Sequence, residues 1–375
     1  MLNKMEITAA LIREKGGKFG LEKVMIDEPR ADEVLVKIVA TGTCHTDMAV
    51  RDQQMGPTGF PFILGHEGAG IVEKVGENVK NLKSGDHVVL TFGSCGECEN
   101  CKKGNPAYCE NLMGMNFSGC RLDGTHNHSS QNKDEQIHDN FFSQSSFATY
   151  AISHKSNTIK VSKDAPLEIL GPLGCGVQTG AGAVINSLKV APGKSIVITG
   201  AGAVGLSALL AAVASSAGTI VAVDINNERL EFAKELGATH IINSKNRDAA
   251  EELRKILPKG FDYGLDTTGR NEVINTILSS LKPFGEIGIL GVATKPLEIE
   301  MNSFVSRGIK LKGIVEGDSV PSEFIPQMVN MYLLGQFPFD KLIKKYSFQD
   351  INQAIADSES GKTIKPVILI GDFEK

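Results

Sequence analysis

The chain contains no run of lysine and arginine, no apolar stretch long enough to cross a bilayer, and no apolar leader segment. Its 39 basic and 44 acidic residues give a formal net charge of −5. Without a cluster of positive charge, neither nucleic acid nor an anionic membrane is expected as the main partner, which leaves a small-molecule function. The longest mainly apolar run, Leu206 to Ala217, falls well short of the roughly 20 residues a membrane-spanning helix needs. Met1 to Gly17 alternates polar and apolar residues, the pattern of an opening strand and hairpin and not of a signal peptide. A cytoplasmic protein is therefore expected. Internal repeats and low-complexity tracts are also missing.

A chain of 375 residues exceeds the size at which a single core stops growing, so about two domains are expected. From Met5 to about Ile152, short strand-like runs such as Glu33 to Val39 and His87 to Leu90 alternate with Gly-rich turns, which predicts an all-β domain. Asn116 to Asn140 is polar and without periodicity, and reads as a long surface loop. Its histidines His126, His128 and His138, and Cys120, are expected to face solvent. After Pro192-Gly193 apolar runs alternate with helical stretches, the texture of repeated βα units. Six strands are expected, at Ser195 to Thr199, Thr219 to Val223, His240 to Ile242, Tyr263 to Asp266, Glu286 to Leu290 and Lys310 to Ile314, forming one doubly wound sheet. Beyond about Glu316 a helix (Pro321 to Leu334) precedes short strands that end in Pro366 to Ile370.

The first of these six strands runs into Gly200-Ala-Gly202-Ala-Val-Gly205 and then a helix rich in Ala and Leu. In that context Gly200 permits a tight turn, Gly202 lets a pyrophosphate approach the backbone, and Gly205 allows close packing of helix on strand. The helix N-terminus then favours negative charge. Asp224 ends the next strand where a carboxylate would accept hydrogen bonds from ribose hydroxyls and repel a 2′-phosphate, so NAD is expected over NADP. Nearby Arg229 could contact either a ribose or a phosphate.

Cys95, Cys98, Cys101 and Cys109 are four of the chain's seven cysteines, and in a chain with no export signal their spacing favours metal over disulfides. Four thiolates make a closed tetrahedral zinc site of the structural kind, although an iron–sulfur cluster could use the same set. A second, dispersed set is Cys44, His66 and Cys175: two thiolates and one imidazole would leave a fourth position open, as in catalytic zinc. Taken singly, each of these three reads as a buried cysteine or a hydrogen-bonded histidine.

Cys44, the Gly65-His66-Glu67-Gly68-x-Gly70 block, the four-cysteine lobe, Cys175 and the Gly200 fingerprint occur in an order that resembles the zinc-containing medium-chain alcohol dehydrogenases, over nearly the whole chain. The resemblance implies an α/β protein: a GroES-like β-rich catalytic domain of residues 1–176 and 317–375, and a Rossmann domain of residues 177–316 with a doubly wound parallel sheet. It implies Cys44, His66 and Cys175 as catalytic zinc ligands, with Glu67 close enough to exchange with the bound oxygen, and the four-cysteine lobe as a structural zinc site. Asp47 matches the carboxylate that fixes the tautomer of His66. Thr46 matches the hydroxyl that takes the alcohol proton, where an unaided reading makes it a helix cap. Thr179, Val204 and Val292 match positions around the nicotinamide, and Lys365, closing Gly361-Lys-Thr-Ile-Lys365, matches a cation that reaches the pyrophosphate. One departure stands out: liver-type members carry a proton-relaying histidine five residues after the first zinc cysteine, and this chain has Ala49. His45 is expected beside the pyrophosphate, with water completing the proton path.

The function implied is NAD-dependent, reversible oxidation of a primary alcohol by zinc-assisted hydride transfer. Cys44 to Gln53 and Phe141 to Tyr150 look most like aryl-alcohol (benzyl alcohol) dehydrogenases, so oxidation of benzyl alcohol to benzaldehyde is expected, with Phe92 and Phe117 as candidate pocket residues. Dehydrogenases of allylic terpene alcohols look similar. The glutathione-dependent formaldehyde dehydrogenase branch shares both zinc sites, and a non-catalytic zinc- and nucleotide-binding protein is the reading outside enzymes. The family further implies a homodimer or homotetramer joined through the nucleotide domain.

Overall fold

The computed structural model describes residues 4–56, 59–131, 135–293 and 295–371; residues 1–3 of the expected opening strand lie outside these. The chain divides into two compact units, Met1–Cys175 with Val320–Leu334 and Asp340–Lys375, and Gly176–Ser319 with Gly335–Phe339. Among the described residues no helix is long and apolar enough to cross a membrane.

The first unit is built from two β-sheets. In one, Phe62–Ile63, Met5–Ile12, Gly20–Ile26 and His128–Ser130 pair in that order. In the other, the order is Ile343–Ser347, Lys365–Leu369, Glu33–Gly42, Glu67–Val75, His87–Leu90 and Thr158–Lys160, with Tyr150–His154 also paired to Glu33–Gly42. Successive side chains of a strand point to opposite faces, and both long strands use this to serve two cores. Val34, Val36 and Ile38 enter one core while Leu35 enters the other; Ala10 and Ile12 likewise separate from Ile7, Ala9 and Leu11. Fully buried phenylalanines such as Phe62, Phe141 and Phe147 anchor the first of these cores, each contributing about 1.5–3 kcal/mol of burial.

The segment 116–140 differs from the surface loop expected of it. His128 lies in a strand paired with Gly20–Ile26 and is buried, as are Asn116, Asn127, Ile137 and Asp139; Cys120, His126 and His138 are half-buried. The polar side chains that gave the segment its loop-like composition instead satisfy buried backbone. Asp139 accepts from the N–H groups of Asn127 and His128 (both 2.7 Å) and from Nδ1 of His128 (2.9 Å), while Asn116 pairs with both backbone groups of Gly93. Arg121 clamps Glu33 through two nitrogens, at 2.6 and 3.0 Å.

The second unit carries six parallel strands, β1 (Ser195–Thr199), β2 (Thr219–Asp224), β3 (His240–Asn243), β4 (Phe261–Asp266), β5 (Leu281–Ile289) and β6 (Lys310–Gly313). Their order is β3-β2-β1-β4-β5-β6, a doubly wound sheet with its switch point at β1. All five β1 residues are buried, which is why this strand, β-branched from Ile196 to Thr199, does not alternate between apolar and polar residues. Residues Gly335–Phe339, which the sequence reading leaves in the first domain, group with this unit and carry the fully buried Phe337 and Phe339.

Candidate metal and nucleotide sites

Helix α1 (His45–Arg51) begins at Cys44, and its first turn is organised by Asp47. The Asp47 carboxylate is fully buried and accepts three hydrogen bonds: from Cys44 N–H (2.9 Å), from Gly65 N–H (3.0 Å) and from Nδ1 of His66 (3.0 Å). One carboxylate therefore fixes both Cys44 and His66 and leaves Nε2 of His66 to face the opposite way. That Nε2 is buried without a hydrogen-bond partner. Cys175 follows the turn Gly171–Gly174, where Gly174 lets the chain press against the backbone of Leu90 and Thr91 Oγ1 donates to the Gly174 carbonyl (2.6 Å). Donor atoms of Cys44, His66, Glu67 and Cys175 all lie within 4.8 Å of one another.

The charges of this cluster support each other. A hydrogen bond from Cys175, with positive charge at His66 and Lys365, holds the Cys44 thiol well below its ordinary value despite burial. Burial opposes charge on His66, but Asp47 and then Cys44 outweigh it and keep the imidazole above its usual value. A buried imidazole nitrogen beside two thiol sulfurs, one already shifted towards thiolate, becomes a donor set suited to zinc once the ion displaces the protons.

Aromatic rings enclose the imidazole. Phe142 stacks on His66 at 4.4 Å between centroids, Phe141 meets it edge-on at 5.3 Å, and Phe117 packs edge-on against both phenylalanines. Phe92 is buried in the same core. Gln144 donates to the carbonyls of His66 and Thr91 and accepts from Gly68 N–H, locking His66 and the start of the strand that follows it. These roles of Phe141, Phe142 and Gln144 were not assigned from sequence, although all three fall in the Phe141 to Tyr150 segment singled out there.

Lys365 has two partners that the sequence reading did not assign to it. Its side chain is buried, and its ammonium donates to Glu67 Oε1 (2.6 Å) and to the carbonyl of Thr43 (3.1 Å). It is the counter-ion of Glu67. Burial pushes the Glu67 carboxyl up to about 7 while Lys365 pulls against that, and Glu67 in turn keeps the buried ammonium charged. His45 is exposed on the first turn of α1, and Thr46 is half-buried with its Oγ1 3.7 Å from the Cys44 sulfur.

In the four-cysteine lobe all thiols are free, with Cys95 Sγ 3.4 Å from Cys109 Sγ and 4.0 Å from Cys101 Sγ. Four sulfurs around one zinc stand about 3.8 Å apart, so the spacing suits a single ion. Backbone N–H groups of Cys95, Cys98, Cys101 and Asn111 point at sulfur. Those of Glu110 and Cys101 draw Cys98 down to about 6, whereas burial and neighbouring Cys98 push Cys101 up to about 12.

In the second unit the three glycines meet three different demands. Gly200 has φ +89°; a Cβ on Gly202 would meet nothing within 4 Å; a Cβ on Gly205 would collide with the Gly200 carbonyl. The open face at Gly202 thus lies at the N-terminus of α3 (Ala203–Ala214), the helix that follows α2 (Gly176–Gly182). Asp224 accepts from Ala201 N–H (2.6 Å) and from the N–H groups of Ile225 and Asn226, tying the end of β2 to the glycine turn. Arg229 lies in the next helix with its Nε buried and unpartnered. Val204 is half-buried, Val292 is exposed beyond β5, and Thr179 on α2 donates to Glu316.

Residues 30–163 match the alcohol dehydrogenase GroES-like domain and residues 203–333 the zinc-binding dehydrogenase family. A geraniol dehydrogenase of Castellaniella defragrans is 43% identical over 365 residues, 96% of this chain and 97% of that protein. Among solved structures, benzyl alcohol dehydrogenase from Acinetobacter calcoaceticus is 50% identical with a TM-score of 0.94, over 98% of this chain and 100% of that one. An alcohol dehydrogenase zinc-binding domain protein from Burkholderia ambifaria is 51% identical with a TM-score of 0.96, over 99% and 100%.

Proposed function

The chain belongs to the zinc-dependent medium-chain alcohol dehydrogenases, and from that premise we propose that it oxidises an aromatic primary alcohol such as benzyl alcohol reversibly to the aldehyde, with NAD. The observation that carries the site assignment is the convergence of Cys44, His66 and Cys175 donor atoms beside Glu67, with His66 oriented by Asp47. Zinc held there would supply a Lewis acid for the alcohol oxygen, and NAD on the second unit would supply the hydride acceptor.

The chain's own residues do the rest. Asp47 holds the tautomer of His66 whose proton sits on Nδ1. Thr46 Oγ1, half-buried on the first turn of α1, takes the alcohol proton and passes it to water, because position 49 offers only alanine. The rings of Phe141 and Phe142 keep water from His66. The same rings, with half-buried Phe117, favour a flat, apolar substrate over ethanol, since apolar pockets gain from each buried carbon. Glycine fingerprint, Asp224 and α3 would hold the pyrophosphate and adenosine ribose.

An allylic terpene alcohol is the second reading, favoured by the geraniol dehydrogenase relative. Initial rates of NADH formation with benzyl alcohol, geraniol, ethanol and hydroxymethyl-glutathione separate these. Fast turnover of benzyl alcohol with little on ethanol is expected; activity on the glutathione adduct alone would assign the formaldehyde branch, and silence on all four with zinc bound would favour a non-catalytic protein.

We place the enzyme in the cytoplasm and assign it a homodimer or homotetramer joined through the second unit. In support of the latter, β6 is an edge of the sheet, and Met301, Val305, Leu311 and Val315 around it are exposed apolar residues. Sedimentation would give the subunit count.

A further inference from the structure

Three consecutive residues between β6 and the next helix, Glu316, Gly317 and Asp318, have left-handed backbones, with φ of +49°, +67° and +50°. For glutamate and aspartate this costs conformational energy, and strain of this kind persists where surrounding structure over-determines it. Here the pinning is visible. Gln178 Nε2 and Thr179 Oγ1, both on α2, converge on Glu316 Oε2 at 3.2 Å each. Gly317 presses against the backbone of Gln178 so closely that no Cβ would fit, and Asp318 is held by Ser187 Oγ (2.8 Å) and Lys312 Nζ (2.6 Å). The strained turn thus exists to hold a carboxylate against α2 at Thr179.

The topology says what that carboxylate faces. In a doubly wound sheet the dinucleotide lies across the carboxyl ends of the strands, one half on each side of the switch point. Asp224, at the end of β2, marks the adenosine side; β4, β5 and β6 form the other half, and Glu316 follows the end of β6. Helix α2 also packs against the fingerprint helix, since a Cβ on Gly180 would run into the carbonyl of Val204. Glu316, Thr179 and Val204 therefore lie along one connected path on the nicotinamide side.

We propose that Glu316 is a cofactor-binding residue whose negative charge favours the oxidised, cationic nicotinamide ring over the neutral reduced one. The inference rests on the reading of the second unit as an NAD site. It makes Glu316 a residue that sets the balance between oxidised and reduced cofactor on the enzyme, by holding NAD+ more tightly than a neutral site would while leaving NADH nearly unaffected.

The test is binding to the zinc-loaded protein without alcohol: NADH by its fluorescence, with NAD+ and ADP-ribose by competition. ADP-ribose lacks the nicotinamide and reports the rest of the site. Glu316→Gln keeps the shape and an acceptor oxygen but removes the charge. NAD+ affinity should fall about tenfold, with NADH and ADP-ribose changed less than about twofold. Glu316→Asp, which retains the charge, should preserve most of the NAD+ preference. Equal losses for NAD+ and NADH, a loss of ADP-ribose binding in Glu316→Gln, or no change at all would each overturn the proposal. Failure of the unsubstituted protein to bind any of the three would instead remove the NAD reading on which it rests, and the proposal with it.

Discussion

Asp47→Asn tests whether the buried carboxylate orients the catalytic metal ligands. The carboxylate satisfies three donors, Cys44 N–H, Gly65 N–H and His66 Nδ1–H, with two oxygens. Asparagine has nearly the same shape but one acceptor oxygen, so in either orientation its amide N–H₂ meets at least one buried N–H. Each lost hydrogen bond to the charged group is worth roughly 1.5–3 kcal/mol, and an orphaned buried donor costs roughly 1–3 kcal/mol. Only the share that re-aims Cys44 and His66 reaches metal binding, and groups that orient ligands in this way change affinity by about 10–100-fold, or roughly 1.4–2.8 kcal/mol. The assay is competition with a chromogenic chelator on protein loaded at both donor sets. In Asp47→Asn one zinc should leave at chelator concentrations lower by that factor while the other, in the four-cysteine lobe, is unmoved. A folded variant that keeps both zincs within about threefold of the parent would refute the argument, because the orientation of His66 and Cys44 would then not depend on Asp47.

Four further outcomes are expected. Cys98→Ser should reduce zinc from two to one per chain and lower the melting temperature, since the lobe is closed by four thiolates; iron in place of zinc on metal analysis of the parent would reassign the lobe. For Asp139, burial raises the carboxyl but the His126 imidazole 3.4 Å away and the hydrogen bond from His128 more than offset it, so the native value lies below the unfolded one. The stabilisation is then fully present above the unfolded value of about 3.9 and is lost as pH falls through the native value, so the melting-temperature deficit of Asp139→Asn should be largest near neutrality and shrink only once the pH drops below about 3.9; a deficit that grows on acidification contradicts this. Lys365→Met strands the buried Glu67 and should destabilise the protein by about 3–5 kcal/mol in chemical denaturation, with NAD+ affinity changed less than about twofold; a large loss of NAD+ binding at unchanged stability would restore the pyrophosphate role. His45→Ala should weaken NAD+ binding more than it flattens the pH profile of turnover, given exposed His45 at the start of α1, and the reverse result would make His45 the proton relay.

What was legible in the sequence was local or strongly periodic. The central strands of the parallel sheet were visible as apolar runs because they are covered on both faces, the edge strands β3 and β6 through their spacing in the repeated βα texture, and the roles of Gly200, Gly202 and Gly205 follow from backbone demands within six residues. The four-cysteine lobe spans 15 residues, so its spacing alone announces a metal. The dispersed set of Cys44, His66 and Cys175 was ambiguous residue by residue and became readable only through its resemblance to a family.

Tertiary structure decided what depends on distant partners. Lys365 and Glu67 are separated by 298 residues, and nothing near Lys365 in the chain says that its ammonium is buried against a carboxylate. The polar segment 116–140 looked solvent-facing because polarity records hydrogen-bonding capacity, not where it is spent; Asn116 and Asp139 spend theirs on buried backbone. The rings around His66 and the strained turn that carries Glu316 to Thr179 are likewise products of chain crossings. By itself the sequence determined the sheet of the second unit, the glycine turn and the identities of the candidate ligands, because those follow from short-range backbone geometry and side-chain chemistry. Which charges meet, which histidines are buried and which carboxylate faces which helix were decided by folding, because desolvation and pairing energies exist only once distant segments have been brought together.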